Sequence, residues 1–541
     1  MTRDRLELAL LGAVLAVVGA FAIVPAGSLF ARGVAAEGGL RALGAVLAPP
    51  LAGRALSNSL LQGGASAALA LAIGYPAGVF LGRFRWPGRS TVRSALLLPF
   101  LLPSLVMVLG VLDLLGPTGL LGGPWPALRP LASGLPGVVV VNLFYNVPIV
   151  VVLTASGCEA ASADLEETIA TLGGGPARSY LGSWAAPSLT GAACGALLTF
   201  VFSALSFAPP ILLCGSSCDT LEIRVYDLAE LHGSPYAAAV LGLVLVAAFL
   251  APALAYVLLV RRLRPARGRA ARPRPPPWRA PGTWALAVPF LLVVGAELAL
   301  VGAVVARSLF PPGGGPWGRP WALLAGPATA AHLGVPISSA IANTLFFASV
   351  AAGVGVVIAI AAAFVAARRP GLAVPLALLL FAPVLLSPVV LAVALAQFYR
   401  PLLGFGSDVW VLIVLSQALL AVPFALQSVE IPLARLGAAG TEAAQSLGAS
   451  RWEAFVDADL PRLRRGVQTA VLFGFALGLG EFTATYFLVS STARLVTVPI
   501  AVYDLANARL AGAAAAAAAL LLLLSLMVFA GIVASGGDDR A

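Results

Sequence analysis

Long apolar runs separated by short polar, glycine-rich or proline-rich stretches dominate the chain. A helix that crosses a hydrocarbon core of about 30 Å needs about 20 apolar residues. On that basis the pattern predicts twelve membrane-spanning helices in two sets of six. The first set is Leu8–Phe30, Leu60–Leu81, Ala95–Leu115, Gly137–Ser156, Leu189–Leu213 and Ala237–Val260. The second set is Trp284–Phe310, Ile341–Ala367, Leu372–Phe398, Val409–Val429, Val467–Leu488 and Ala511–Val533.

Short sequence matches relate the two sets. Val147-Pro148 recurs as Val422-Pro423, and the pentapeptide Val225–Ala229 recurs unchanged as Val502–Ala506. Such internal repeats indicate a duplicated architecture. We therefore predict an all-α polytopic membrane protein with about twelve transmembrane helices in two six-helix repeats of the same orientation. The predicted division is a first half over residues 1–260, an Arg/Pro-rich linker over 261–283 and a second half over 284–541.

Arginine-rich segments orient the predicted helices. They follow the second and eighth spans and fill the linker, and cytoplasmic loops carry such an excess of basic residues. All of them lie on one side if both termini are cytoplasmic. The weakly charged segments Ala31–Arg54 and Pro311–Pro336 are then outside. We expect a multi-pass protein of the cell (inner or plasma) membrane.

Composition narrows the class further. Of 541 residues, 60% are hydrophobic and only 10% are charged, which a soluble domain of this length cannot accommodate. The formal charge of +10 follows the membrane topology and does not indicate a nucleic-acid groove. The chain contains no lysine, so it cannot carry a phosphate-binding loop of the GxxxxGK[ST] form. Any ATPase of that type must be another chain.

Two polar, small-residue loops interrupt the apolar pattern, over about 157–188 and about 430–466. In the second, Glu442, Ala443 and Ala444 precede Leu447-Gly448, with Pro461 further on. Small residues allow a partner backbone to approach closely, and glycine permits a tight turn. The first loop has Glu167, Ala170, Leu172, Gly173 and Pro187. An interfacial amphipathic helix is the alternative interpretation of each loop, but the matched repeat favours docking of a partner.

These loops resemble the cytoplasmic EAA loop, roughly EAAxxLG and a distal proline, of the permeases of binding-protein-dependent ABC importers. Residues 442–448 with Pro461 match this pattern in full. In the first half Glu167, Leu172, Gly173 and Pro187 match. Thr168 and Ile169 replace the two alanines there, so that half is expected to dock less tightly.

The resemblance implies the partners and the mechanism. Two copies of a separate ABC ATPase subunit would bind the two EAA-like loops. An extracytoplasmic solute-binding protein would deliver the solute to the outer loops. The chain would have membrane lipid around it, no nucleic-acid partner, no catalytic site, no cofactor and no metal. Fusion of two halves resembles the thiamine and ferric-iron permeases, whereas Gly480-Glu481-Phe482 resembles molybdate and sulfate permeases. Polyamine is a further alternative, and the solute stays open.

Carboxylates within predicted spans need a reason, because burying one in a membrane helix is costly. Glu481 lies deep in an apolar run, and Asp113 and Glu297 lie nearer the ends of theirs. Each is a candidate lining residue of a solute pathway. A hydrogen bond between helices, or a protonated acid, is the structural alternative. For Cys214 and Cys218, small apolar packing residues are favoured over a disulfide.

Two other classes remain open. A secondary transporter driven by an ion gradient, with Glu481 as the coupling acid, also predicts twelve spans and repeats. It does not predict paired EAA-like loops. A membrane scaffold or enzyme is disfavoured, because no motif for nucleophilic, metal or cofactor chemistry occurs.

Overall fold

A computed structural model describes residues 3–35, 44, 51–96, 98–215, 218–231, 233–260, 273–311, 315–403, 409–436, 439–489 and 495–536. In these ranges the regular structure is helical, apart from an isolated bridge between Phe84 and Arg274. Residues 261–272 of the predicted linker lie outside the described residues. An all-α polytopic fold is confirmed.

The helices follow one another in two long series. Up to residue 260 they are α1 (Arg3–Val18), α2 (Val24–Ala35), α3 (Leu51–Arg83), α4 (Arg89–Ala95), α5 (Leu98–Leu101), α6 (Ser104–Leu115), α7 (Gly134–Glu159), α8 (Ala163–Thr171), α9 (Pro176–Ser179), α10 (Ala185–Ala204), α11 (Ala208–Leu213), α12 (Leu221–Tyr226) and α13 (Pro235–Val260). From residue 281 they are α14 (Pro281–Leu309), α15 (Arg319–Leu324), α16 (Pro327–Leu333), α17 (Ile337–Arg368), α18 (Pro370–Leu385), α19 (Pro388–Leu403), α20 (Val409–Leu436), α21 (Ala439–Ser446), α22 (Arg451–Ala454), α23 (Arg464–Gly480), α24 (Thr483–Val489), α25 (Val498–Asn507) and α26 (Ala511–Gly536). Short π-helical segments cover Gly19–Ile23, Tyr180–Trp184, Asp227–Leu231 and Phe455–Asp459, and Pro126–Ala132 is a 3₁₀ helix.

The number of possible spans agrees with the sequence pattern. Among the described residues, nine helices are long and apolar enough to cross a membrane, and the number reaches twelve if each of three bent pairs is one span. The predicted total of about twelve is therefore the upper count.

The three bent pairs are predicted spans that the structure breaks. Ala95–Leu115 bends by 101° before Pro103, and Leu372–Phe398 bends by 87° at Ser387-Pro388. Proline cannot donate the backbone hydrogen bond that would continue the helix. Val467–Leu488 bends by 53° after Gly480. In addition, the predicted span Leu189–Leu213 is two helices, since α10 ends at Ala204 and α11 starts at Ala208.

Packing divides the chain into two compact units. One contains residues 1–46, 225–246 and 308–541, and the other contains residues 47–224 and 247–307. The first helices, α1 and α2, therefore belong to the unit that holds α17–α26. Helix α14 belongs to the unit that holds α3–α11. This is a division by packing, whereas the predicted boundaries 1–260, 261–283 and 284–541 rest on sequence repetition and stay a prediction.

Each unit contains a core of three long helices that approach closely. In one unit these are α3, α7 and α10, and in the other they are α17, α20 and α23. A Cβ added at Gly78 would lie 2.5 Å from the Thr154 Cβ, and one at Gly478 would lie 2.9 Å from the Ala348 Cα. Glycine is thus required at both helix crossings, as is common where membrane helices pack.

Equivalent hydrogen bonds support the repeat. The Asn58 side chain donates to the Asp219 carbonyl at 2.8 Å, and Asn343 donates to the Val496 carbonyl at 2.9 Å. The next residue repeats the pattern, because Ser59 accepts from the Leu221 amide at 2.9 Å. Its counterpart in the second half, at position 344, is a threonine whose hydroxyl accepts from the Val498 amide at 2.8 Å. These bonds hold α12 and α25 against the starts of α3 and α17.

Cys214 and Cys218 form a disulfide between α11 and α12. The sequence favoured two unpaired packing residues, and that preference was wrong. Their Cα atoms lie 5.2 Å apart, within the usual range for a disulfide.

Candidate functional site

The first polar loop contains a short capped helix. The Ser162 hydroxyl accepts from the Leu165 amide at 3.3 Å and so satisfies a free donor at the start of α8 (Ala163–Thr171). Glu167 and Ala170 are exposed on this helix. Leu172 follows with 79% of its side chain exposed, and Gly173 then adopts a left-handed conformation with φ of +74°. The turn therefore leaves an apolar side chain exposed at the surface.

The second polar loop repeats this arrangement. Helix α21 (Ala439–Ser446) carries Glu442 and Ala443 on its exposed side and the half-buried Ala444. Leu447 is 90% exposed, and Gly448 has φ of +96°. No atom lies within 4 Å of a Cβ built at Gly173 or at Gly448, so their role is conformational and the space beside them is open.

An ion pair that the sequence did not predict anchors the first loop. Glu166, adjacent to the predicted Glu167, is buried and accepts both guanidinium ends of Arg83, one at 3.1 Å. Arg274 lies 3.6 Å from the same carboxylate, and the Ser179 hydroxyl donates to it at 3.4 Å. Arg83 also lies over the Trp184 ring at 4.8 Å. Helix α8 is thereby tied to the end of α3.

The electrostatics of this anchor favour the ionised acid. Burial by itself would raise the pKa of Glu166, but the hydrogen bonds and positive charge of Arg83, together with the charge of Arg274, hold it below its usual value. A bidentate arginine–carboxylate pair is also directional, so it orients α8 as well as holding it.

At the equivalent position the second loop has a threonine, which anchors it by a hydrogen bond and cannot form an ion pair. Thr441, which precedes Glu442 as Glu166 precedes Glu167, donates its hydroxyl to Asp459 at 2.8 Å. At the start of α22 the Ser450 amide donates to the Glu453 carboxylate at 2.7 Å, and the Glu453 amide donates back to the Ser450 hydroxyl at 3.2 Å. This reciprocal capping box fixes the turn after Gly448.

A groove of about 560 Å³ adjoins the second loop. Its polar lining includes Arg368, Glu430 and Glu442, and its apolar lining includes Phe364 and Phe455. Glu442 thus lines a concave surface. This geometry suits the docking of a protein segment.

The two distal prolines lie where the loops join the next long helices. Pro187 is in the first turn of α10, and Gly157 packs against its backbone so closely that a Cβ there would lie 2.2 Å from the Pro187 carbonyl oxygen. Pro461 is exposed in the turn before α23. Pro461 therefore lies where proline, which lacks a backbone N–H, is readily tolerated, just before a helix begins.

Glu481 has a structural role that the sequence left open. It follows the last residue of α23, and its carboxylate accepts from the Ala484 amide at 2.7 Å, the Thr485 amide at 2.9 Å and the Thr485 hydroxyl. Gln417 donates to the same hydroxyl at 3.1 Å. Glu481 therefore caps α24, and its role in a pathway remains a prediction.

The other two acids lie in different surroundings. Asp113 is 3.5 Å from the guanidinium of the buried Arg307 on α14, a partner that the sequence did not reveal. Glu297 lines an apolar groove of about 390 Å³ between α3, α7 and α14. Glu481, Asp113 and Glu297 are not brought together in one described cluster. Among the described residues, no group of three or more His, Cys, Asp or Glu side chains could hold a metal ion.

Comparison with known proteins gives relatives of one kind. The chain is 39% identical over 103 residues to the molybdenum transport system permease protein ModB of Haemophilus influenzae, a match that covers 19% of this chain and 44% of that protein. It is 31% identical over 165 residues to the thiamine transport system permease protein ThiP of Brucella suis, covering 28% of this chain and 29% of that protein. It is 29% identical over 206 residues to ModB of Mycobacterium tuberculosis, covering 37% of this chain and 77% of that protein. No protein-family model matches the chain.

These matches are partial. The chain spans less than half of the Haemophilus ModB and less than a third of the Brucella ThiP. The relatives agree on a transport permease, while their names divide between molybdenum and thiamine.

Proposed function

From the premise that this chain belongs to the permease family of binding-protein-dependent ABC importers, we propose that it is the membrane-spanning subunit through which such an importer moves a small solute. ATP hydrolysis takes place in a separate ATPase subunit, present in two copies. An extracytoplasmic binding protein supplies the solute. The chain itself performs no covalent chemistry.

The observation that carries this proposal is the pair of matched exposed leucines. Leu172 and Leu447 are each more than three-quarters exposed, and each precedes a left-handed glycine in a loop at the same place in its repeat. Keeping a large apolar side chain in water is unfavourable, so two such residues at equivalent positions favour a surface that is covered by a partner. Two identical ATPase subunits would meet two related surfaces, each with an exposed leucine before a left-handed glycine.

The anchors explain how a pull on these surfaces would reach the membrane helices. Glu166 ties α8 to Arg83 at the end of α3, and Thr441 ties α21 to Asp459 before α23. Helices α3 and α23 belong to the two three-helix cores. We infer that closure of the ATPase pair moves both cores and alternately opens the solute pathway.

The arginine-rich segments and the disulfide favour the same orientation. Both termini, both coupling loops and the linker lie in the cytoplasm in this proposal. Cys214–Cys218 then faces outward, where disulfides persist. The sequence repeat gives the two halves, 1–260 and 284–541, the same orientation.

The solute is proposed from the sequence resemblance. Thiamine or ferric iron is favoured by the fused two-half organisation. Molybdate or sulfate is the alternative, and similarity to ModB and to the sulfate permease CysT of Escherichia coli supports it.

Reconstitution tests the proposal. The chain is placed in proteoliposomes with its ATPase and binding protein, and uptake of thiamine, ferric iron, molybdate and sulfate is measured with and without ATP. We expect uptake of one solute that requires ATP and the binding protein. Uptake that continues without ATP and stops when an ion gradient collapses would instead support a secondary transporter.

A further inference from the structure

A cluster of aromatic side chains joins the two copies of the repeated pentapeptide. Tyr226 and Tyr503 are equivalent residues in Val225–Ala229 and Val502–Ala506, and both contact Tyr486. The ring centroids lie 6.0 Å apart for Tyr226 and Tyr486 and 4.9 Å apart for Tyr486 and Tyr503. We call these three residues the tyrosine cluster. Phe482 stacks on Tyr486, with the ring centroids 5.0 Å apart.

The backbone around the cluster is irregular in two of its three segments. Tyr486 lies on α24, the short helix after the 53° break at Glu481. Tyr226 is the last residue of α12 and is followed by the π-helical segment Asp227–Leu231. Discontinuous helices line solute sites in many membrane transporters, and π-helical turns are frequent at functional sites.

The cluster lies at the end of its helices opposite the coupling loop. Helix α23 starts at Arg464, directly after the second loop, and Tyr486 comes 22 residues later. Helix α23 alone has 17 residues and, at about 1.5 Å per residue, rises roughly 26 Å before the 53° break that precedes Tyr486, which is most of the thickness of a hydrocarbon core. A solute that enters from the side opposite the ATPase would therefore meet the cluster early in its passage.

Two of the three tyrosines are accessible. Tyr226 and Tyr486 are half-buried, whereas Tyr503 is buried beneath them. The rings contact one another, so no ion fits between them, and a ligand would meet the outer faces of Tyr226 and Tyr486. Hydrogen bonds join the hydroxyls of Tyr226, Tyr486 and Tyr503 in series.

The charges beside the cluster are mainly negative. Asp227 and Glu230 interact electrostatically with Tyr226, and Asp504 interacts with Tyr486 and Tyr503. Asp227 and Asp504 are again equivalent residues of the pentapeptide. His332 interacts with Asp504. The face of an aromatic ring attracts a cation within about 6 Å of its centroid, and organic ammonium ions are the ligands best suited to such faces.

We propose that the tyrosine cluster is a contact site for an organic cation at the outer end of the solute pathway, and that it makes the permease itself selective for a cationic solute such as thiamine over an oxyanion. The proposal rests on the transport function above, but its charge selectivity is testable without the ATPase or the binding protein. Ring faces and neighbouring carboxylates would repel molybdate and sulfate. The recurrence of the Tyr-Asp pair in both halves then serves recognition as well as helix packing.

The test uses charged thiol reagents on the full chain in nanodiscs. Tyr486→Cys is treated with the quaternary ammonium reagent MTSET and with the sulfonate reagent MTSES. The control is Tyr236→Cys, an exposed tyrosine of α13 outside the cluster. The unsubstituted chain sets the background from Cys158 and Cys194, which are both buried. We expect the MTSET-to-MTSES rate ratio at position 486 to exceed that at position 236 at least 10-fold.

Thiamine at millimolar concentration should also slow the MTSET reaction at position 486 by more than 3-fold, while molybdate should not. Equal rate ratios at positions 486 and 236, or protection by molybdate alone, would overturn the proposal. Tyr226→Cys repeats the test if Tyr486→Cys does not fold.

Uptake assays separate this inference from the proposed function. In the reconstituted transporter, Tyr486→Phe keeps the ring face and should retain thiamine uptake within 2-fold, whereas Tyr486→Leu should reduce it at least 10-fold. ATP-driven uptake of molybdate that Tyr486→Leu does not affect would leave the importer function intact and refute the cation site. If the MTSET-to-MTSES rate ratio at position 486 is as expected but no tested solute is taken up in an ATP-dependent way, the importer function is refuted and the cation site is not.

Discussion

Replacing Glu166 by alanine should loosen the first coupling loop without unfolding the membrane helices. The change leaves the Arg83 guanidinium without its bidentate partner, and only 14% of that side chain is exposed. Breaking a fully buried pair costs about 3–5 kcal/mol. Water reaches this site, and Arg83 keeps its contact with Trp184, so we expect about 1–3 kcal/mol of local stability to be lost.

Hydrogen exchange of the purified chain measures this loss directly. If α8 opens locally, about 1–3 kcal/mol corresponds to exchange roughly 5- to 150-fold faster at its amides. Exchange in the three-helix core of α3, α7 and α10 should change little. Thr171→Ala is the control, because its hydroxyl donates to the Thr168 carbonyl within the same helix and does not join α8 to α3 in the described residues.

The same variant should weaken coupling. Since a loose α8 cannot transmit a pull to α3, uptake per ATP hydrolysed should fall while hydrolysis continues. If α8 exchanges at the wild-type rate in Glu166→Ala, the ion pair is not the anchor and the reasoning fails.

The pH dependence of this anchor follows from the pKa of Glu166. Because the folded pKa lies below the value of about 4.3 in an unfolded chain, the ionised pair contributes stability above that pH. The contribution disappears as the pH falls through the folded pKa. Exchange at α8 should therefore be protected equally at pH 5 and pH 8 after correction for the intrinsic rate.

Substitutions at four further positions test the remaining parts of the account. Gly448→Val forces a β-branched residue to φ of +96°, so it should distort the turn and uncouple ATP hydrolysis from uptake. Glu442→Lys should also uncouple ATP hydrolysis from uptake, while the thermal unfolding of the chain stays unchanged. Leu447→Ser should leave the melting temperature of the isolated chain within about 2 °C, because the side chain is 90% exposed, yet should weaken ATPase binding at least 10-fold in a pull-down titration. Glu481→Ala should destabilise the chain by about 1–2 kcal/mol through loss of the α24 cap. Glu481→Gln keeps one of the two acceptor oxygens, so it should destabilise the chain less than Glu481→Ala and should retain uptake. Loss of uptake in a Glu481→Gln chain that remains folded would indicate a charge requirement in the pathway.

The sequence predicted the parts of this structure that depend on local pattern. Apolar runs predicted the approximate positions of up to twelve spans, and the Leu-Gly pairs predicted the turns of the two polar loops. The turns at Gly173 and Gly448 could be predicted because glycine readily adopts a left-handed conformation that other residues disfavour. Asn58 and Asn343 could be matched because the same short motif recurs in both halves.

Features that depend on the packing partner could not be predicted in this way. A periodic pattern of apolar residues shows that a helix is buried but does not show which helix it packs against. The sequence therefore did not reveal that α1 and α2 belong to one packing unit and α14 to the other. Glu166 was missed because it adjoins Glu167, and only helical geometry separates the buried acid from the exposed one. The arginine directly after the second predicted span, Arg83, was the available signal.

Glu481 illustrates a different difficulty. Its position in an apolar run suggested a pathway residue, but the run contains a break, and a carboxylate directly after a break can cap the following helix. The break itself has no proline to mark it. Hydrophobicity alone could not distinguish a continuous span from a broken one.

The claim that both loops face a common ATPase is tested most directly by the membrane side of their exposed leucines. Leu172→Cys and Leu447→Cys are each labelled with a membrane-impermeant maleimide, first in intact cells and then in inverted vesicles. We predict labelling of both positions only in inverted vesicles, and loss of labelling when the ATPase subunits are added back. Labelling of the two positions from opposite sides of the membrane would contradict the account, because no single pair of ATPase subunits could then contact both loops.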